Sequence, residues 1–137
     1  MADPSDPTFR HETICPYLYY EDGIAMLSFL TDAFGFKERM RHVDQDGTLR
    51  HGEVQLGNAI VMLGCPPDFK NPKHLGAVTG GLYVYVDDVD AHYERAKAAG
   101  AEIQTAPTDQ EYGDRNYGAL DPEGQQWWFA QAVGPTP

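Results

Sequence analysis

The sequence has few cysteines. Only two, Cys15 and Cys65, occur among 137 residues, and they lie in different segments without the close spacing of a metal-binding cysteine pair. Two cysteines do not supply the disulfide framework on which small secreted proteins rely. We therefore expect a cytoplasmic protein in which both thiols are free.

Positive charge is also scarce. Ten lysines and arginines stand against 21 aspartates and glutamates, which gives a formal net charge of −11. A surface of this sign repels the phosphates of nucleic acids and the head groups of anionic membranes, so we expect neither as a partner. It attracts cations, although an acidic surface also serves solubility alone.

Long apolar segments are absent as well. No run approaches the roughly 20 apolar residues that cross a bilayer. The N-terminal stretch MADPSDPTFRHE has neither the basic start nor the apolar centre of a secretory signal. The remaining composition, 42% hydrophobic and 23% charged residues, is typical of a globular chain large enough to form a core.

One aromatic segment occurs twice. The stretch ICPYLYYEDG at 14–23 is followed by GLYVYVDDV at 81–89, and an offset of 66 residues aligns their tyrosines. The aligned pairs are Tyr17/Tyr83, Tyr19/Tyr85, Asp22/Asp88, Ala25/Ala91 and Ala33/Ala99. Internal repetition of this length indicates two copies of one structural unit.

Each copy has the pattern of a strand, a helix and three more strands. The first copy predicts a strand over 15–20, a helix over 23–34 and strands over 37–43, 48–56 and 59–64. The second predicts a strand over 82–86, a helix over 88–99 and strands over 102–105, 116–120 and 125–132. Asp22 is expected to cap the first helix and Gly35 to end it.

These elements predict an α+β protein built from two βαβββ modules. Each module forms a curved mixed sheet with its helix on the outer face. The expected organisation is a flexible tail over 1–13, a first module over 14–64, a connector over 65–80, a second module over 81–132 and a tail over 133–137.

One helix covers only one face of a four-stranded sheet, so the other face must be buried or used. Side chains alternate along a strand, and the Gly57-Asn58 hairpin turn is expected to pair Glu53 with Met62 and Val54 with Val61. The open face of the first module is then expected to receive Cys15, Tyr17, Tyr19, His51, Glu53, Gln55, Ile60 and Met62.

The same rule applies to the second module. A four-residue turn at DPEG is expected to pair Leu120 with Gln125 and Tyr117 with Trp128. In this register the open face receives Tyr83, Tyr85, Arg115, Tyr117 and Trp128, and the core receives Trp127 and Phe129.

Aromatic rings with a few polar groups between them are typical of a small-molecule pocket. The alternative is that the rings pack between the modules as core, but cores favour aliphatic side chains because a buried phenol needs a hydrogen-bond partner. The predicted ligand-binding residues are Tyr17, Tyr19, His51, Glu53, Met62, Tyr83, Tyr85, Arg115, Tyr117 and Trp128. Three of these have structural alternatives: Arg115 as an ion pair with Asp114, and His51 and Glu53 as hydrogen-bond partners of Arg115. His92, beside Glu94 and Arg95, is expected on a solvated helix face.

The paired modules, the segment YVDDVDAHYERAKAAGAE and the ending YGDRNYGALDPEGQQWWF together resemble one large family. It is the glyoxalase/bleomycin-resistance/dioxygenase superfamily, also called the vicinal-oxygen-chelate fold. The resemblance covers about residues 14–132. It implies the fold more strongly than an activity, because one fold hosts many functions.

Metal enzymes of this superfamily place His, Glu or Gln at four positions on the open face. The matching positions of this sequence carry Cys15, Met62, Gly81 and Trp128. A Lewis-acid site needs carboxylate and imidazole donors. The resemblance therefore implies that this chain is a member of the superfamily without a metal cofactor and without catalytic residues. A metal held by His51, Glu53 and an unidentified third ligand stays open as an alternative.

The metal-free, drug-binding members provide the better analogy. Bleomycin-resistance proteins resemble this chain in size and acidity, and they sequester a drug between two intertwined subunits. Other relatives hold mitomycin-type or quinoxaline-type antibiotics by stacking on aromatic residues. The resemblance therefore implies a homodimer, with modules paired within or swapped between chains, that binds a planar aromatic antibiotic.

Two other functions stay open. One is a metal-dependent enzyme of the glyoxalase or dioxygenase type. The other is a metal-independent isomerase that uses Glu53 or His51 as a base.

Overall fold

Two similar units follow one another along the chain. In a computed structural model, which describes residues 11–134, the first unit contains a short strand, a helix and three longer strands. They are β1 (Tyr17–Tyr19), α1 (Gly23–Phe34), β2 (Lys37–Val43), β3 (Leu49–Leu56) and β4 (Ala59–Gly64). The second unit contains α2 (Pro72–Leu75), β5 (Gly81–Tyr85), α3 (Val89–Ala98), β6 (Glu102–Asp109), β7 (Asp114–Leu120) and β8 (Gln126–Ala132).

Each unit has one four-stranded mixed sheet. The strand order is β1-β4-β3-β2 in the first and β5-β8-β7-β6 in the second. The first strand of each unit runs parallel to the last, and the other neighbours are antiparallel. The shared order and directions confirm the predicted α+β class and its repeated βαβββ module.

Aspartates cap both long helices, as the sequence predicts for the first. Asp22 accepts a hydrogen bond from the N–H of Ala25 at 3.1 Å, and Asp88 accepts one from Ala91 at 3.0 Å. Such caps satisfy backbone donors that have no partner within the helix. Gly35 ends α1 with φ of 77°, a left-handed conformation that glycine adopts without strain.

The core of the first unit lies between α1 and its sheet. Leu27 and Leu30 of α1 are fully buried, and Val54, Val61 and Leu63 of the hairpin are at most 4% exposed. The predicted pairing across the Gly57-Asn58 turn is confirmed, with Glu53 opposite Met62 and Val54 opposite Val61. Hairpin register therefore fixes which side chains face α1.

The core of the second unit centres on the predicted pair Trp127 and Phe129, both fully buried. Asp121, also fully buried, accepts hydrogen bonds from the N–H groups of Glu123 and Gln125 and from the indole N–H of Trp127 at 3.1 Å. This carboxylate joins the β7–β8 turn to the largest core side chain.

The predicted register of β7 and β8 is wrong by one residue. Leu120 pairs with Gln126, Gly118 with Trp128, and Tyr117 with Phe129. The physical reason is that the Asp121 side chain draws the N–H of Gln125 into the turn, so the loop is one residue longer than DPEG. A shift of one residue exchanges the faces of a strand.

The chain divides into two compact units, Met1–Lys70 and Asn71–Pro137. The border lies inside the predicted connector, which also contains the unpredicted helix α2. Most of both predicted tails, residues 1–10 and 135–137, lies outside the described residues. The described parts are bonded: the N–H groups of Val133 and Gly134 donate to the carbonyl oxygen of Gly113, and His11 contacts Glu53.

Candidate functional site

The first unit exposes a pair of tyrosines on its open face. Tyr17 and Tyr19 are 46% and 53% exposed, with ring centroids 5.5 Å apart in an edge-to-face arrangement. Gly64 lies beneath Tyr17, since a Cβ there would be 3.0 Å from the phenol oxygen. The alternation of β1 thus places both rings as predicted, with Tyr20 buried instead.

A buried acid lies behind this pair. Glu53 is 4% exposed, and its carboxylate contacts Arg39, His11 and His51. The His51 Nε2 lies 2.8 Å from Glu53 Oε2, and its Nδ1 lies 3.1 Å from the Tyr17 hydroxyl. In a neutral imidazole, Nε2–H donates to the carboxylate and Nδ1 accepts from the phenol.

The surroundings of Glu53 favour its ionised form. Burial raises the pKa of the carboxyl, but hydrogen bonds from His51 and His11 and the charge of Arg39 outweigh it, and the net pKa is lowered. A carboxylate stabilised in this way is a weak base. The geometry therefore disfavours a proton-abstracting role for Glu53.

The second unit exposes the equivalent tyrosines. Tyr83 and Tyr85 are 43% and 61% exposed, and their ring centroids are also 5.5 Å apart. Both hydroxyls donate to the same oxygen, Oδ2 of Asp114, at 2.6 and 2.8 Å. Asp114 itself is 7% exposed.

An amide completes this second cluster. The side-chain NH₂ of Asn116 donates to the hydroxyls of Tyr83 and Tyr112, each at 3.0 Å. Burial, followed by the hydrogen bond to Asp114, raises the pKa of Tyr83, and the bond to Asp114 is the main cause that raises the pKa of Tyr85. Both phenols therefore stay protonated and act as donors to the carboxylate.

Trp128 extends the aromatic surface of the second unit. It pairs with Tyr83 across β5 and β8, and it is half-buried. Its ring lies over Gly118, where a Cβ would come within 2.7 Å of the indole. The indole thus occupies space that the side chain of any larger residue at position 118 would fill. Its neighbours Trp127 and Phe129 are buried in the core, so the predicted placement of Trp128 on the open face is confirmed.

Two predicted site residues of β7 lie on the opposite face. Tyr117 is fully buried, stacks on Phe129 and has its hydroxyl 2.6 Å from Nδ1 of His92. Arg115 pairs with Asp90 and Asp109 rather than with its sequence neighbour Asp114 or with Glu53. The one-residue register shift explains both corrections.

His92 is also corrected. Its ring lies 4.2 Å from that of Phe129, so it packs on the core instead of a solvated helix face. Two other residues are expected on the open face of the first unit. Ile60 is 2% exposed and takes no part in a surface site. The side-chain amide of Gln55 donates to the carbonyl oxygen of Gly57. Met62 is half-buried opposite Tyr17 and Glu53.

Sequence reasoning missed Arg39, His11, Tyr112, Asp114 and Asn116. Asp114 and Asn116 follow from the even-numbered positions of β7 once the register is known. Arg39 carries no local signal, because it meets Glu53 through a β-bulge that shifts the β2–β3 register between Glu38 and Met40.

The family's metal-binding positions do not fit a metal here. Gly81 and Trp128 have no donor atom suited to a cation, and Cys15 and Met62 offer only sulfur. Within residues 11–134, no group of three or more His, Cys, Asp or Glu side chains is arranged to hold a metal ion. Glu53, the best remaining donor, already bears the guanidinium of Arg39.

A cleft of about 270 Å³ lies elsewhere in the second unit. It is lined by Pro72, Lys73, Gly76, Ala77, Val78, Gln104, Leu120 and Gly124. None of the predicted ligand-binding residues lines it, so this cleft does not coincide with the tyrosine face.

The fold and the sequence together define the class. Residues 12–129 match the model of the Glyoxalase/Bleomycin resistance protein/Dioxygenase superfamily, and the chain belongs to that superfamily. It is also similar to the uncharacterized protein Rv0887c of Mycobacterium tuberculosis, with 33% identity over 126 residues, covering 88% of this chain and 74% of that one. A Mycobacterium bovis protein, Mb0911c, matches equally, with 83% of its length covered.

Among solved structures, the chain is similar to TioX from Micromonospora sp. ML1. The TM-score is 0.72 at 31% identity, covering 91% of this chain and all of that one. A glyoxalase/bleomycin resistance protein/dioxygenase family enzyme from Burkholderia phytofirmans shares the fold, with a TM-score of 0.64, 22% identity and coverage of 85% and 95% of the two chains. Within residues 11–134, no helix is long and apolar enough to cross a membrane.

Proposed function

We propose that this protein binds and sequesters a planar aromatic small molecule of the antibiotic type, as a homodimer and without a metal. The observation that carries the proposal is the pair of exposed tyrosines on the open face of each unit. A planar ring stacked on an aromatic side chain gains roughly 1–3 kcal/mol, by analogy with nucleic-acid bases.

Hydrogen bonds from within the sheet support this role. The hydroxyls of Tyr17, Tyr83 and Tyr85 are each tethered to a side chain of the open face, which restricts their rings. Rings held in place before binding lose less conformational entropy when a ligand arrives. If the exposed rings had no such hydrogen bonds, the simpler interpretation would be that they only cover the sheet.

The residue types at the family's metal positions also support binding rather than metal-assisted chemistry. Trp128 provides a stacking surface where a ligating side chain would otherwise stand. The lowered pKa of Glu53 and its pairing with Arg39 argue against Glu53 as the base of the isomerase alternative.

Acridine, a neutral planar ring at mildly alkaline pH, is a suitable probe for isothermal titration calorimetry. We expect the wild-type chain to bind it and the double variant Tyr85→Ala/Trp128→Ala to bind at least about tenfold more weakly, since two stacking surfaces are lost. Tyr93 lies in α3 with its ring against that of Tyr117, so Tyr93→Ala is the control and should bind acridine like the wild type. Equal affinity of the double variant and the wild type would contradict the proposal.

The metal-free and dimeric parts of the proposal need separate measurements. Acridine binding should be unchanged after dialysis against EDTA, and elemental analysis should find no stoichiometric transition metal. Binding that EDTA abolishes would favour the metal-dependent enzyme. Light scattering after size exclusion should give twice the chain mass, and a monomer at micromolar concentration would refute the dimer.

A further inference from the structure

Among residues 11–134, no cationic side chain forms an ion pair with Asp114, the acid of the second cluster. Asp114 is more than nine-tenths buried, and within the described part of the chain the hydrogen bonds to its side chain come from the phenols of Tyr83 and Tyr85. The neighbouring cation, Arg115, points to the other face and pairs with Asp90 and Asp109. A shielded carboxylate of this kind retains most of its attraction for a cation.

The hydrogen bonds at Asp114 leave room for another donor. Both phenols use Oδ2, and no described side chain donates to Oδ1. An ionised carboxylate accepts about four hydrogen bonds, so two phenols do not saturate it. The two tyrosines that donate to this acid are themselves exposed, and aromatic rings attract cations.

We propose that the cluster of Tyr83, Tyr85, Asp114 and Asn116 binds the positively charged amino group of an aromatic ligand. The inference rests on the proposed function and specifies its ligand as an aromatic cation with a protonated amine or amidine group. The carboxylate accepts a charge-assisted hydrogen bond while the rings of the tyrosines and Trp128 contact the aromatic part. The net charge of −11 also steers a cation toward the protein.

A matched pair of probes separates charge from stacking. At mildly alkaline pH 9-aminoacridine carries a positive charge, whereas acridine has the same ring system and is neutral. Calorimetry on the full chain should show about tenfold tighter binding of 9-aminoacridine, in the range of one charge-assisted hydrogen bond.

The variant Asp114→Asn keeps an acceptor for the phenols but removes the charge. We expect it to bind 9-aminoacridine about tenfold more weakly and acridine within about twofold of the wild type. Glu94→Gln removes one exposed negative charge from α3 and serves as the control for net charge, so its preference for the cation should equal that of the wild type.

The outcomes distinguish the inference from the proposed function. If both probes bind the wild type equally, or if Asp114→Asn and Glu94→Gln weaken the cation equally, the charged subsite is refuted while aromatic binding stands. If neither probe binds, both proposals fail. If Asp114→Asn does not fold by circular dichroism, the wild-type comparison of the two probes alone decides.

Discussion

The two tyrosine faces share their rings and differ in what lies beneath them. Each unit carries an edge-to-face pair with centroids 5.5 Å apart and interplanar angles of 65° and 63°. In the first unit the phenol of Tyr17 is hydrogen-bonded to the imidazole of His51, which is hydrogen-bonded to Glu53. Glu53 is also paired with Arg39. In the second unit the phenols donate directly to Asp114, which has no cationic partner in the described residues.

The difference indicates two roles for one architecture. A buried acid whose charge is balanced within its own unit holds the sheet together and offers little to a ligand. A buried acid balanced only by neutral hydrogen-bond donors is complementary to a cation from outside. The repeat therefore preserves the aromatic surface in both units, while among residues 11–134 the acid of the second unit has no cationic partner.

The largest effect should come from removing the internal cation of the first unit. Arg39→Met leaves Glu53 buried without its guanidinium, and we expect the free energy of unfolding to fall by about 3 kcal/mol. Urea denaturation followed by circular dichroism measures this loss.

Arg41→Met is the matched control on the same strand. Arg41 pairs with Glu38 at the surface, where an ion pair contributes little because water screens it. Its urea midpoint should stay close to that of the wild type. Equal losses in both variants would mean that Glu53 does not depend on Arg39, and the contrast between the two faces would weaken.

A smaller change in the free energy of unfolding tests which aromatic rings lie on the open face of the second unit. Tyr117→Phe removes the hydroxyl that lies 2.6 Å from the His92 imidazole and keeps the ring in the core. We expect a loss of about 1 kcal/mol in unfolding free energy, typical of one buried hydrogen bond. Acridine affinity should not change, because Tyr117 lies on the helix side.

Tyr85→Phe provides the opposite pattern for comparison. Its ring is exposed, so the loss of its hydroxyl should affect 9-aminoacridine binding more than unfolding. If Tyr117→Phe instead weakened binding and left stability intact, the assignment of Tyr117 to the core would be wrong.

Most of the fold follows from local sequence signals. Aspartate caps, a glycine stop and the Gly57-Asn58 turn fix α1 and the first hairpin, and period-two alternation places Tyr17 and Tyr19 correctly. The β7–β8 register could not be derived in this way. Whether DPEG closes in four residues or five depends on the Asp121 side chain, whose hydrogen bonds also reach the distant Trp127.

The candidate site was predictable only where alternation was sufficient. Parity places the tyrosines of β1 and β5 correctly, whereas the predicted pairing of Tyr117 with Trp128 puts Arg115 and Tyr117 on the wrong face. The partner of Glu53 depends on a β-bulge in β2, which the local sequence does not mark. That Asp114 has no cationic partner in the described part of the chain is evident only once the direction of the Arg115 side chain is known.

The smallest effect concerns alkaline pH and applies to the second unit. The pKa values of Tyr83 and Tyr85 are raised in the folded chain, in both cases partly by the hydrogen bond to Asp114. A raised pKa contributes stability that is fully present below the ordinary tyrosine pKa of about 10 and is lost as the pH rises through the folded value. Asp114→Asn removes the charge that raises both values, so its stability should decline less between mildly and strongly alkaline pH. Asp109→Asn, which alters an exposed acid of the same sheet, should follow the wild type. Urea midpoints across this range measure the slopes, and identical slopes for Asp114→Asn and the wild type would show that the phenols do not depend on the carboxylate.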